Sequence, residues 1–203
     1  MYTREFKFDY PLSGRAVAVQ EVLQRRSRDM RTALDQGIRG VVDGQSDEGA
    51  YIDSVISRFS VRLPEFDFEN IKKTEAYEEK TGSNFVGEAI LRRAWVITFG
   101  FRYKGEIEFL RYIPRVGASL STPQFTYDDH YMYFTSWTWD TPDKDVQKIK
   151  TEKDNAIAFL QKRLADVLPE LEQFNQALVG DVRAAFEALK QKRLKDRDLL
   201  SQL

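Results

Sequence analysis

From Trp95 to Tyr103 every second residue is large and apolar: Trp95, Ile97, Phe99, Phe101 and Tyr103. A repeat of two over that length predicts a strand with one buried face and is incompatible with a helix. Lys104-Gly105 follows, and a glycine in the left-handed position after a type I turn folds the next segment back on the first. The expected hairpin sets Arg102 opposite Glu106, Phe101 opposite Ile107, Phe99 opposite Phe109 and Trp95 opposite Ile113. A slip of one residue would place Glu106 and Glu108 among the aromatics, so burial is expected to hold that register.

Around this hairpin the rest of the chain falls into short elements. Tyr2 to Tyr10 alternates as a half-buried strand that Pro11 ends. A helix is predicted from about Gly14 to Gln36, with Ser13 as N-cap and Gly37 as the stop. Gly40 to Ala50 is an acidic loop, and Ile52, Val55, Ile56 and Phe59 mark a short helix before an extended segment near Phe66-Asp67-Phe68. Between Glu69 and Asn84 neither period wins, and that stretch is expected to be loop with some helix. A loop over 114–123 leads into a second hairpin that turns at Asp128-Asp129, its second arm being His130 to Trp139. From residue 144 onward helix takes over, split by Pro169 into about 144–167 and 170–198, because proline lacks the backbone donor and clashes with the preceding turn.

The expected fold is therefore α+β, an antiparallel β-meander of about five or six strands packed against an N-terminal helix and two long C-terminal helices. Residues 1–143 would form the sheet-bearing core and 144–203 a helical pair, within a single domain overall. At 203 residues the chain needs no disulfide or metal to hold such a core.

Composition narrows the chemistry. There is no cysteine, which removes thiolate metal sites, disulfides and cysteine nucleophiles and suits a cytoplasmic location. No signal-peptide h-region or membrane-length apolar run is visible, so no membrane partner is expected. With 31 basic and 32 acidic residues the formal charge is −1, so any polyanion must be recognised by a local patch. Phosphate-cradling glycine signatures and the G-x-S-x-G elbow are both missing.

Three groups of residues remain as candidates. The lone histidine sits in Asp128-Asp129-His130, where carboxylates beside an imidazole suggest a polar site; adjacent strand residues point to opposite faces, however, and a plain turn explains the composition as well. Arg25, Arg26, Arg28 and Arg31 give the first helix a basic tract that could track phosphates, interrupted by Asp29 and Asp35. Leu164, Leu171 and Leu178, each seven residues from the next, form a coiled-coil-like seam able to meet a partner helix or a second copy. The rings of Tyr131, Tyr133, Trp137 and Trp139 suggest a base-stacking platform, but 130–139 contains no Lys or Arg to interleave with them, so they are assigned to core packing. Glu106 and Glu108 are assigned to cross-strand pairing with Arg102.

Gly105-Glu106-Ile107-Glu108-Phe109-Leu110-Arg111-Tyr112-Ile113-Pro114, followed far downstream by Gln173-Phe174-Asn175-Gln176-Ala177-Leu178 and a charged stretch ending Asp198-Leu199-Leu200, resembles uncharacterised bacterial N-terminal modules of TIR- or nuclease-containing defence-type proteins. That resemblance implies an N-terminal part of a larger protein and transfers no site residue. The expected function is accordingly a non-enzymatic interaction or regulatory module acting through its C-terminal helices. A nucleic-acid-binding domain using the first helix is the alternative, and a small-ligand site or enzyme near His130 the second. No cofactor and no metal are expected, and the titratable residues form none of the constellations that catalysis requires.

Overall fold

The computed structural model describes residues 3–8, 18–83, 86–112, 123–141 and 145–200. Five strands form one antiparallel sheet: β1 (Arg4–Phe6), β2 (Glu65–Ser83), β3 (Ala89–Lys104), β4 (Phe125–Tyr127) and β5 (Tyr131–Trp139). Three helices accompany it: α1 (Val19–Val42), α2 (Glu48–Phe59) and α3 (Val146–Leu200). The α+β class and the second hairpin stand, with Phe125 opposite Phe134 and Tyr127 opposite Met132. None of these helices is long and apolar enough to cross a membrane.

The order of strands is β1-β4-β5-β3-β2, which is not a simple meander. The first expected hairpin is corrected here. The aromatic strand β3 does exist, but it turns back on β2 rather than on 106–113, so that Arg102 faces Asp67 and Trp95 faces Tyr77. Ile107–Arg111 instead forms a 3-10 helix that buries Ile107, Phe109 and Leu110. Gly105 has the expected positive φ of 79°, yet the chain leaves the sheet there instead of re-entering it. Ile113 and Pro114, the expected loop to 122, the Ser13 cap and Tyr10 lie outside the described residues.

Strand β2 replaces the expected loop over 69–84. It is an edge strand whose residues 72–79 are all exposed, and a strand wetted on both faces shows no apolar period. A register shift between Asp67 and Lys72 marks a bulge, where Asp67 accepts hydrogen bonds from the backbone of Glu69 and Asn70.

The described chain divides into two compact units, each discontinuous in sequence. In the first (residues 1–16 and 64–166) one face of the sheet is covered by the start of α3. Phe159 meets Phe8 edge-on at 5.0 Å and lies parallel to Phe125 at 6.2 Å. Buried Ser136 donates to Glu152 of the same helix. Phe99, Phe101, Met132 and Phe134 complete the buried side.

The second unit (17–63 and 167–203) is built by α1, α2 and the rest of α3 around Met30, Leu34, Ile38, Val55, Phe59, Leu178, Val182 and Phe186. Helix α1 runs past the expected stop at Gly37. That glycine is a crossing point: a Cβ there would fall 2.3 Å from the Tyr51 hydroxyl, which donates to Ala33 and Leu34 carbonyls. The helix ends at Asp43, with Gly44 at φ 70°. Asp47 then caps α2 by accepting from the Ala50 amide at 2.7 Å. Pro169 does not break the C-terminal helix, which is continuous over 55 residues; the proline is exposed, between buried Val167 and Leu171.

Candidate functional site

Asp128, Asp129 and His130 come out as a turn rather than a site. The Asp128 carboxylate is buried and fully engaged: Oδ1 accepts from the amides of His130 and Tyr131, both at 2.8 Å, and Oδ2 accepts from the Tyr133 hydroxyl at 2.7 Å. Its own carbonyl accepts from the Tyr103 hydroxyl at 2.5 Å. Burial alone pushes this carboxyl upward, but the donated hydrogen bonds outweigh it and hold the group below the usual carboxylate range. The Tyr103 hydroxyl is pushed up to about 12, first by burial and then by the nearby carboxylates Glu108, Asp128 and Asp129. Asp129 and His130 are exposed, and Asp129 pairs with Arg4 at 3.2 Å. No group of three or more His, Asp or Glu among the described residues is placed to hold a metal ion.

The arginines of α1 split in the same way. Arg26 is structural: its Nε and a terminal nitrogen donate to the carbonyls of Phe59 and Ser60, both at 2.9 Å, closing the C-terminus of α2. Arg25, Arg28 and Arg31 remain exposed. Replacing Arg26 with Ala is expected to cost about 1–3 kcal/mol, since two charge-assisted bonds to half-buried carbonyls disappear. Thermal unfolding of Arg26→Ala beside Arg25→Ala, which should be near neutral, checks the assignment. Of the leucine seam, Leu171 and Leu178 are buried within their own chain and Leu164 is half-buried. Glu106, expected opposite Arg102 in a hairpin, instead precedes the 3-10 turn, and the strand partner of Arg102 is Asp67.

The side of the sheet turned away from α3 has a different character among the described residues. Strand register places Gly100, Thr98, Val96 and Ala94 of β3 in a column of small residues, flanked by Tyr133, Thr135, Trp137 and Trp139 of β5. On the other flank β2 contributes Lys72, Thr74, Ala76 and Glu78. Small residues in the middle let the rings of β5 lean across. A Cβ on Gly100 would lie 3.0 Å from the Tyr133 ring, and one on Gly82 of β2 would lie 3.0 Å from Trp139. In a strand interior, glycine at such points marks the close approach of another group.

Three of the β5 rings on this face meet a cation from β2 or β3. Lys72 lies over Tyr131 at 5.5 Å, Lys80 over Trp137 at 5.5 Å and Arg92 over Trp139 at 5.2 Å. Lys148 also approaches Trp137, at 4.9 Å. Tyr131 and Tyr133 stack at 6.0 Å. Between Tyr133 and the Thr74-Thr98-Thr135 row lies a hollow of about 340 Å³, with Lys72 and Thr126 on its rim. Lys72, Thr74, Thr126 and Thr135 are exposed.

The assignment of the β5 rings to core packing holds for Tyr133, which is buried, whereas Tyr131, Trp137 and Trp139 are half-buried. That assignment sought Lys or Arg within 130–139, whereas the cations come from β2 and β3. No signal inside β5 could have shown them; what was needed was the pairing of β3 with both neighbours, and the expected partner 106–113 concealed it. Comparison of the chain with protein-family models, with curated proteins and with solved structures finds no match.

Proposed function

We infer that the chain is a non-enzymatic binding module whose recognition surface is the sheet face turned away from α3. One observation carries the reading: on this face Tyr133 leans onto Gly100 and Trp139 reaches Gly82, while Tyr131, Trp137 and Trp139 each meet a cation from β2 or β3. A sheet face that served only as a wetted exterior would have no need of rings there; their apolar surface gains from contact with a flat ligand. The C-terminal helix is a weaker choice of surface, because Leu171 and Leu178 are already buried by their own chain. Catalysis has no support, since the buried carboxylate is consumed by a turn and His130 is exposed.

The test uses the tryptophans themselves. Trp95 lies on the opposite face, bonded to Glu75, so Trp95→Phe leaves emission to Trp137 and Trp139. Titration of that variant with oligonucleotides, neutral oligosaccharides and charged peptides is expected to shift or quench the emission with at least one class. A response that disappears in Trp139→Leu supports the reading. Emission unchanged by all three classes would reject it.

A further inference from the structure

We propose that the ligand of this face is a single-stranded nucleic acid, a step that rests on the binding-module reading above. The choice between flat ligands turns on charge. A neutral sugar stacks on a ring with no need of a cation beside it, whereas a nucleotide brings a base and a phosphate together. Here ring and cation alternate in the same way, as Tyr131 with Lys72, Trp137 with Lys80 and Trp139 with Arg92. The ring centroids of Tyr131 and Tyr133 lie 6.0 Å apart and those of Trp137 and Trp139 4.9 Å apart, with Thr135 between the two pairs, so each pair presents one aromatic platform on which an exposed base of an extended strand can stack.

A duplex is excluded by the same geometry, because its base faces are hidden in its own stack and cannot reach a flat sheet. Cations that lie over the rings in the free protein are long and flexible, and Lys72 and Arg92 are exposed. They swing from ring to phosphate when a base takes their place, exchanging one electrostatic contact for a stronger one. Thr74, Thr98, Thr126 and Thr135 around the hollow beside Tyr133 supply hydroxyls for sugar and phosphate oxygens. The register also puts acids on this face: Glu78, neutralised by Lys80 at 3.2 Å, Glu5 of β1, paired with Lys7 at 3.2 Å, and Asp67, opposite Arg102. Arg102 continues the line of cations beyond Tyr131 on the same face.

The probe is a fluorescein-labelled mixed-sequence single strand, as DNA and as RNA, followed by anisotropy from low to physiological salt, with the matching duplex beside it. Binding is expected to weaken as salt rises, and to favour the single strand over the duplex by tenfold or more. Lys72→Gln and Arg92→Gln should each weaken affinity about tenfold at low salt and flatten the salt slope by about 0.7. Lys72→Arg should restore it. Trp139→Leu should also weaken binding about tenfold while leaving the salt slope in place, since stacking carries no counterions. Arg25→Gln and Arg28→Gln on α1 should leave affinity unchanged.

Equal binding of duplex and single strand, or loss through the α1 arginines with Lys72 and Arg92 silent, overturns the proposal. So does salt-independent quenching of Trp139 by an oligosaccharide or peptide with no oligonucleotide response. In that last case the binding-module reading survives and only the ligand assignment fails. Variants are compared after thermal unfolding shows them folded; should Trp139→Leu fail to fold, the Lys72 and Arg92 arms still decide the outcome.

Discussion

Asp128→Ala is expected to destabilise the sheet-bearing unit by about 3 kcal/mol, although the residue sits in a hairpin turn. The loss removes the acceptor of two turn amides and of the buried Tyr133 hydroxyl together. Hydrogen bonds to a charged acceptor each contribute about 1.5–3 kcal/mol, and the donors left behind stay partly desolvated, so non-additivity brings the sum down to that figure. Asp128→Asn keeps one oxygen for the amides and should lose about half as much.

The pH dependence follows from the direction of the shift. A carboxyl held below its ordinary value binds fewer protons in the folded state than in the unfolded one between the two pKa values. Its stabilisation is therefore complete above the ordinary carboxylate range, near pH 4, and is lost as pH falls through the lower folded value. Urea unfolding of wild type and Asp128→Asn at neutral and acid pH checks both parts. The gap between them should narrow on acidification. A wild type whose stability falls no faster than that of Asp128→Asn would show that the turn does not depend on the charge.

Phe186→Ala should cost the helical unit about 3–5 kcal/mol. The ring is completely buried among Met30, Leu34, Ile38, Val55 and Phe59, with Tyr51 tilted against it at 6.1 Å. Helix α2 has only 12 residues and is marginal in isolation. It depends on this packing, on its Asp47 cap and on Arg26 at its far end. Loss of Phe186 is thus expected to appear first as faster amide exchange through α2, before α1 or α3 is affected. Uniform exchange across all three helices would mean that the unit opens only as a whole.

Much of the architecture was readable where one face of an element is buried and the other wet. Strand β3, the Phe125–Trp139 hairpin, α2 and the length of helix after residue 144 all carry a clear apolar period. The failures have separate physical causes. Strand β2 is wetted on both sides, so its sequence carries no period and only its pairing with β3 makes it a strand. Ile107, Phe109 and the adjacent glycine satisfied a hairpin pattern equally well, but burial of Leu110 beside them fits a 3-10 turn, in which neighbouring residues share an apolar side. Gly37 read as a stop and is a crossing point, a distinction that depends on Tyr51 fourteen residues later.

The face of rings and cations was hidden for a related reason. Its parts lie in three segments, 72–80, 92–102 and 131–139, and no one of them carries both the rings and all the cations. The candidates that could be seen locally, such as Asp128-Asp129-His130 or the α1 arginines, were local because turns and helix caps are local. Arg26 and Asp128 are indeed important residues, but for holding the fold.

Strand β2 lies at the margin of the sheet, and among the described residues its outer row of amide and carbonyl groups has no partner strand in the order β1-β4-β5-β3-β2. A long bare margin of that kind is a template on which another chain can add itself. Lysine and glutamate at 72, 73, 75, 78, 79 and 80 make such addition unfavourable, because an incoming strand would have to strip water from each of them. The lysines that face the rings are thus also sentries against aggregation. Removing several at once would strip the rings of their cations and bare the margin together, so the same side chains serve the face of the sheet and guard its edge.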